Sequence, residues 1–259
     1  QVERFGAELL QAQEIAGIHQ HDNYHCIQTN DGSEYSANAL LIATGSRYKR
    51  LNVQGESDYL GAGVHFCATC DGPFYKGKRV AVIGGGNSAT EESLLLTKFA
   101  DQVTILVRKG KFNATAVIQE KVLSHPKIDV RWFTEVKEFI GKDSKLTQLR
   151  IYNDQSGAEE FLVMDGAFIF IGLVPNTGFI EDNHILLDRW GFIVTGHALL
   201  HGDHRPTGFE QRDPLLLETS VPGIFAAGDV RDTSTKQVVS AAGEGGTAAL
   251  MVREYLKSV

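Results

Sequence analysis

The sequence predicts an α/β fold, on three observations. Residues 78–109, "KRVAVIGGGNSATEESLLLTKFADQVTILVRK", read as an apolar strand, a glycine turn, a helix and a second apolar strand. A second short apolar run at 223–227 ends in Gly228-Asp229 and precedes a long helix of small residues that starts near Gln237. The chain of 259 residues, 42% hydrophobic and with 27 glycines, has enough apolar material for one large domain or two smaller ones. Strands alternating with helices in this way indicate parallel sheets covered by helices.

Composition removes several function classes. With 22% charged residues and a net charge of −7, the chain lacks the basic character of a nucleic-acid surface. No stretch approaches the roughly 18 consecutive apolar residues of a membrane-spanning helix, so no membrane partner is expected. Three cysteines in a chain of this length do not make a disulfide framework, and no signal-peptide pattern is present, so a reducing cytoplasmic compartment is expected. The chain opens on "QVERFGAELLQAQE", a helix-like stretch without an initiator Met, which reads as the start of a fragment.

The elements follow in order. In "YHCIQTNDGSEYSANALLIATGS", Tyr24–Thr29 alternates like a strand, Asp31-Gly32 supplies a hairpin turn, and residues 37–43 read as a buried strand ending in Thr44-Gly45. Cys26 lies on the first of these strands and suits a buried structural thiol. Next comes "HFCATCDGPF", with Cys67 and Cys70 in a CxxC spacing. Spacing alone leaves three readings: a working dithiol, half of a metal site with Cys26 and His65 as the nearest further ligands, or two inert thiols.

The glycine turn carries more. Gly84, Gly86 and Ala89 form GxGxxA after the strand Arg79–Ile83 and before a helix at 89–98. Such a turn lets a dinucleotide pyrophosphate approach the backbone, and the helix N-terminus favours its charge. An acidic residue at the end of the next strand, 103–107, would select NAD, but Arg108 and Lys109 stand there and favour the 2′-phosphate of NADP. "TSVPGIFAAGDV" at 219–230 repeats a buried strand that ends in Gly228, for close approach, and Asp229, an acceptor. The small-residue helix after it leaves room for a second nucleotide.

The four segments "CATCDG", "VAVIGGGNSATEE", "FIFIGLVPNT" and "TSVPGIFAAGDV", in this order and spacing, resemble the low-molecular-weight thioredoxin reductase family of flavoproteins. The resemblance implies two Rossmann-like, three-layer nucleotide-binding domains. An FAD domain from residues 1–52 and 174–259 is interrupted by an NADPH domain at 53–173 that carries the CxxC. Hinges are implied near 49–54 and 172–176, where Pro175 and glycines break the chain. It further implies a homodimer that passes electrons from NADPH to FAD, to the Cys67/Cys70 disulfide, and on to thioredoxin or a thioredoxin-like disulfide protein.

Residue by residue, the resemblance makes Cys67 and Cys70 the redox pair and Asp71 the acid beside it. It gives Ala43, Thr44, Gly45, Gly228, Asp229, Lys236, Gln237 and Val238 to FAD. To NADPH it gives Gly84, Gly86, Asn87, Ser88, Ala89, Glu91, Arg108, Lys109, Ile171 and Gly172. Two departures stand out. The glycine turn that the family uses for the adenosine diphosphate of FAD is absent, so this polypeptide alone is expected to bind FAD poorly. The phosphate-clamping HRRxxxR pattern reads "VRKGKFN" here, with Val107 for His and Asn113 for the last Arg, which leaves open a donor other than NADPH. A different disulfide substrate and a nucleotide-binding fragment without turnover are the further alternatives. His197, His201 and His204, in a long polar segment at 195–218, read as solvated rather than as a metal site.

Overall fold

A computed structural model describes residues 2–21, 24–180, 185–201 and 205–257. The chain divides into two compact units, Gln1–Arg47 with Val174–Val259, and Tyr48–Leu173. The fold is mixed α/β with parallel strands in both units.

The second unit is built on a five-stranded parallel sheet ordered Val64–His65, Gly166–Ile169, Arg79–Ile83, Gln102–Val107, Ile128–Trp132. Its three central strands are largely apolar on both faces because both faces are covered, as parallel sheets require. Along "RVAVI", Val80 and Val82 pack with Val103, Ile105 and Phe168 against Ala89 and Leu96 of the helix Asn87–Leu96. The alternate residues Ala81 and Ile83 pack with Leu106 and Ile169 on the other face. There they meet Val136, Phe139 and Leu149 of an antiparallel sheet formed by Thr134–Lys142, Lys145–Asn153 and Glu159–Val163. The first hairpin of that sheet turns at Asp143 and Ser144, with φ 52° and 60°, the left-handed pair a tight two-residue connection demands. The unit is thus three layers deep, with helices, parallel sheet and antiparallel sheet in turn.

The first unit holds an antiparallel sheet of Ile15–His21, Tyr24–Thr29 and Glu34–Ala37, and a parallel pair of Leu40–Ile42 with Ile224–Ala226. Ile18, Ile42, Ile193, Ile224 and Val230 form its core. The buried Glu218 ties the segment before the parallel strand together: its carboxylate accepts from both Arg212 amino groups at 2.6 and 2.7 Å. It also accepts from the Leu215 and Gly223 amides at 2.8 and 2.9 Å. Four donors compensate the desolvation of a fully buried charge. The helix Val238–Tyr255 is the last element of this unit among the described residues.

Two sequence expectations differ from the structure. The helix-like opening forms only the 3-10 turn Val2–Phe5, with no residue buried; a helix with no apolar face to pack is not held by propensity alone. The strand expected at 37–43 shortens to Leu40–Ile42, and only Ile42 is buried in it. Ala37 belongs instead to Glu34–Ala37, the partner of Tyr24–Thr29 across the Asp31-Gly32 turn. The helix expected at 89–98 spans Asn87–Leu96, directly after the glycine turn.

Leu96, the last residue of that helix, is fully buried in the core of this unit. Leu96→Ala is expected to cost about 2–5 kcal/mol in denaturant unfolding. Trp132 fluorescence in a Trp190→Phe background reads this unit alone, and a loss below about 1 kcal/mol would place Leu96 outside the core.

Candidate active site

Cys67 and Cys70 are joined as a disulfide, with their Cα atoms 5.3 Å apart. They follow the edge strand Val64–His65 and flank the start of a single helical turn, Ala68–Asp71. Cys67 occupies the cap position, where its Sγ accepts the Cys70 amide at 3.1 Å. Cys67 is half-buried and Cys70 exposed, so the bond is open to a partner from one side. Gly72 explains the sequence after Asp71: a Cβ there would stand 3.2 Å from Leu96 and from Phe99, so the turn lies directly on the next helix.

Beneath the turn, Asp71 Oδ2 lies 3.3 Å from His65 Nδ1, and His65 Nε2 lies 2.6 Å from the Tyr75 hydroxyl. Phe168, paired in register with His65 on the neighbouring strand, stacks on the imidazole at 5.2 Å and meets Tyr75 edge-on at 5.4 Å. Burial pushes the His65 pKa below its ordinary 6.5, against the pull of the Asp71 carboxylate, which favours the protonated ring. Burial, with Asp71 and Asp165 adding like-signed repulsion to a phenolate, raises Tyr75 to about 12. Among the described residues no group of three His, Cys, Asp or Glu side chains is placed to hold a metal ion, and the two sulfurs of the CxxC bond to each other. Cys26 is buried and free in the strand Tyr24–Thr29.

The glycine turn has the shape a phosphate needs. Gly84 has φ +144°, and a Cβ there would collide with the Phe170 carbonyl. On Gly85 it would lie 2.9 Å from Val107. On Gly86 it would meet nothing within 4 Å, so that side of the turn is open. Gly86 caps the helix with no side chain, leaving the first amides of Asn87, Ser88 and Ala89 without a capping partner from the cap residue. Asn87 and Ser88 are exposed, as is Glu91 one turn on, while Ala89 is buried against the sheet. This cradle fits a dinucleotide pyrophosphate.

Arg108 and Lys109 are exposed directly after the strand Gln102–Val107, and neither is in an ion pair among the described residues. Val107 is buried in the core under Gly85. Asn113 returns to the glycine turn through its backbone, donating its amide to the Gly85 carbonyl at 2.6 Å. Asn87 Oδ1 then accepts the Thr115 amide at 2.8 Å, which ties the loop after Lys109 to the helix start. Ile171 and the exposed Gly172, φ +108°, follow the strand Gly166–Ile169.

The residues expected at FAD lie in the first unit, at the ends of its two parallel strands. Ala43, Thr44 and Gly45 follow Leu40–Ile42, and Gly228 and Asp229 follow Ile224–Ala226. Thr44 donates its hydroxyl to the Asn176 carbonyl at 2.7 Å, and Asn176 Nδ2 donates back to the Thr44 carbonyl at 2.8 Å. Gly228, φ +76°, donates its amide to Glu244 at 2.7 Å. Lys236 takes φ +57° and gives its ammonium to the Asp229 carbonyl at 2.8 Å and to the Arg231 carbonyl; burial lowers its pKa. Gln237 caps the last helix, and Val238 and Val239 stand 83% exposed at its start. Asp229 Oδ1 is buried with no partner. An orphaned acceptor beside exposed backbone and bare apolar side chains fits a ligand with polar and flat parts. His197 and His201 meet edge-on at 5.2 Å, and His204 lies outside the described residues.

Fold and site together describe a two-unit α/β protein with a CxxC disulfide and a dinucleotide-type glycine turn in one unit. The family model for pyridine nucleotide-disulphide oxidoreductases matches residues 1–245, and the chain belongs to that family. It is 37% identical to a thioredoxin reductase of Listeria innocua over 232 residues, which are 89% of this chain and 66% of that protein. It resembles the crystal structure of thioredoxin reductase from Streptococcus pyogenes, with a TM-score of 0.85 at 36% identity, covering 100% of this chain and 78% of the other. It also resembles thioredoxin reductase from Giardia duodenalis, at TM-score 0.86 and 33% identity, covering 98% and 77%. The chain therefore spans just under two thirds of the length of the Listeria relative.

Sequence reasoning passed over four residues that the structure draws into these sites: His65, Tyr75, Asn176 and Glu244. His65 stood out only as a metal ligand, though a histidine two residues before a CxxC also reads as a proton-handling group. Asn176 belongs to the implied hinge at 172–176 with no role at a ligand, and nothing local marks Tyr75 or Glu244.

The lowered pKa of His65 has a sign in stability. As pH falls through 6.5 the unfolded chain takes up a proton that the buried imidazole refuses, so the stability present above that pH is lost below it. His25, also buried and lowered by desolvation, adds to the same slope. Thermal unfolding between pH 7.5 and roughly 5 is expected to show a falling midpoint, less steep in His65→Asn; equal slopes would mean that His65 titrates normally.

Proposed function

We propose that this chain acts within an NADPH-dependent thioredoxin-disulfide reductase, an FAD flavoenzyme in which electrons pass from NADPH through FAD to the Cys67–Cys70 disulfide and on to thioredoxin. One observation carries the reading. The disulfide and the glycine turn both follow parallel strands of one sheet, Val64–His65 and Arg79–Ile83, and so open at the same carboxyl edge.

Each group then has a task. Gly84, Gly86 and the amides of Asn87, Ser88 and Ala89 hold the NADPH pyrophosphate, with Glu91 beside them. Arg108 and Lys109 neutralise the 2′-phosphate, and Ile171 and Gly172 border the same edge. FAD, when bound, accepts a hydride equivalent and delivers two electrons to a disulfide. Ala43, Thr44, Gly45, Gly228, Asp229, Lys236, Gln237 and Val238 form its bed in the other unit. Cys67 and Cys70 exchange with the thioredoxin disulfide, and Asp71 gives and takes the protons that thiol chemistry requires. The family resemblance further supports a homodimer, and the cysteine usage a reducing, cytoplasmic setting. Among the described residues no helix is long and apolar enough to cross a membrane.

A second reading keeps the dithiol and changes the donor. Val107 is packed into the core, and Asn113 turns its amide to Gly85, so the clamp offers two cations where the family pattern offers four polar groups. Losing a charged contact to phosphate costs about 1.5–3 kcal/mol, or one to two decades of affinity.

The test uses the full-length natural protein with FAD confirmed by its spectrum. NADPH-driven reduction of thioredoxin is expected, and Cys67→Ser is expected to abolish it. A flavin bleached by dithionite but not by NADPH would favour the second reading. Arg108→Ala is expected to raise the apparent NADPH Kd by about tenfold or more with little change for NADH; equal effects on both would remove Arg108 from the 2′-phosphate.

A further inference from the structure

Resting on the thiol–disulfide reading above, we propose that His65 and Tyr75 are positioning residues for Asp71, forming with it a proton path from the Cys67–Cys70 turn to a separate cleft. The geometry is continuous. Asp71 Oδ2 reaches His65 Nδ1 at 3.3 Å, and His65 Nε2 reaches the Tyr75 hydroxyl at 2.6 Å. Tyr75 in turn lines a cleft of about 380 Å³ with Lys78, Asp143, Lys145 and Asp165, and neither cysteine borders it. Phe168 holds both rings, and a Cβ on Gly166 would fall against the Tyr75 ring, so glycine leaves the space Tyr75 fills.

The need for such a path follows from exposure. The Asp71 side chain is 31% exposed, but it sits in the same helical turn as Cys70, so a protein that reaches the sulfurs covers that face. His65 is only 8% exposed and stays under the turn, and its second nitrogen leads away from it.

When the reduced pair attacks a protein disulfide, the attacking thiol loses its proton to Asp71, a new S–S bond forms and the partner's S–S bond breaks. Asp71 passes that proton to His65 Nδ1, His65 passes its Nε2 proton to the Tyr75 oxygen, and Tyr75 passes its own to water in the cleft. Protonation of the partner's departing thiolate runs the same transfers inward and returns the imidazole to its first tautomer. The second cysteine then loses its proton by the same path and attacks the mixed disulfide, which closes Cys67–Cys70 and releases the partner's second thiol; the pair has lost two electrons, the partner disulfide has gained them, and Asp71 returns to its carboxylate. A buried imidazole held neutral, with its pKa lowered by desolvation, suits a conduit that must not store the proton. The charged and titratable groups facing the path are Asp71, Asp165 and Lys78, whose ammonium lies 5.2 Å over the Tyr75 ring, with Asp143 and Lys145 at the cleft.

The experiment takes the full-length flavoprotein, reduced with dithiothreitol and freed of it anaerobically. It compares reoxidation by thioredoxin disulfide, which covers the turn, with reoxidation by 5,5′-dithiobis(2-nitrobenzoate), which does not. For Tyr75→Phe, which keeps the ring and removes the hydroxyl, the ratio of the two rates is expected to fall roughly tenfold, with a larger solvent isotope effect on the thioredoxin reaction. His65→Asn, which keeps a hydrogen-bonding amide beside Asp71 but passes no proton, is expected to do the same. Equal slowing of both reactions in both variants, or no slowing in either, would overturn the path. A wild type reactive with the small disulfide but inert to thioredoxin would overturn the thioredoxin reading first, and the path with it.

Discussion

Everything in the Tyr48–Leu173 unit depends on its five strands being parallel. Parallel strands end together, so the segments that follow them gather at one edge whatever their distance in sequence. Phe66 and Cys67 follow the edge strand, Phe170 to Gly172 the next, Gly84 to Gly86 the central one, and Arg108 and Lys109 the one beyond. A strand reversed anywhere in the sheet would send its loop to the far side. The same logic operates on a smaller scale in the other unit, where Ala43-Thr44-Gly45 and Gly228-Asp229 leave a parallel pair side by side. The cost of parallel pairing is burial on both faces, and the antiparallel sheet of Thr134–Lys142, Lys145–Asn153 and Glu159–Val163 meets it on the face the helices leave open.

The disulfide turn is held in a different way. It is too short to be stable as a helix, so its position comes from what it rests on. Gly72 brings its backbone against Leu96 and Phe99, and the Cys67 sulfur closes the turn on the Cys70 amide. Asp71 is then fixed from below by His65, itself pinned by its register with Phe168. Polar groups this close to a core are favourable only when each has a partner, and the Asp71–His65–Tyr75 chain supplies one to each.

Much of this was legible locally. Apolar runs of five residues before a glycine turn, and a helix directly after it, are short-range patterns, and the structure forms Arg79–Ile83 and Asn87–Leu96 there. The hairpin at Asp31-Gly32 was legible for the same reason. The failures came where tertiary context decides. "QVERFGAELLQAQE" has helical composition but buries nothing, and residues 37–43 look like one apolar strand although Ala37 pairs with His25 and Leu40 with Ile224. The antiparallel sheet at 134–163 is not legible in this way, since nothing in its alternation says which face of another sheet it will cover. His65 and Tyr75 are ten residues apart, and only the chain's return through the 3-10 turn Gly72–Tyr75 brings them within 2.6 Å.

The proposed transfer requires Cys67 and Cys70 to be a redox store in communication with a flavin, and counting electrons tests that most directly. The full-length protein, oxidised and anaerobic, would be titrated with dithionite while flavin absorbance and free thiols are followed together. Uptake of twice the reducing equivalents taken up by the Cys67→Ser/Cys70→Ser variant, with two thiols appearing per flavin, is the expected result. Equal uptake by the two proteins would show that the disulfide receives no electrons, and the proposed chain of transfer would fail at its central link.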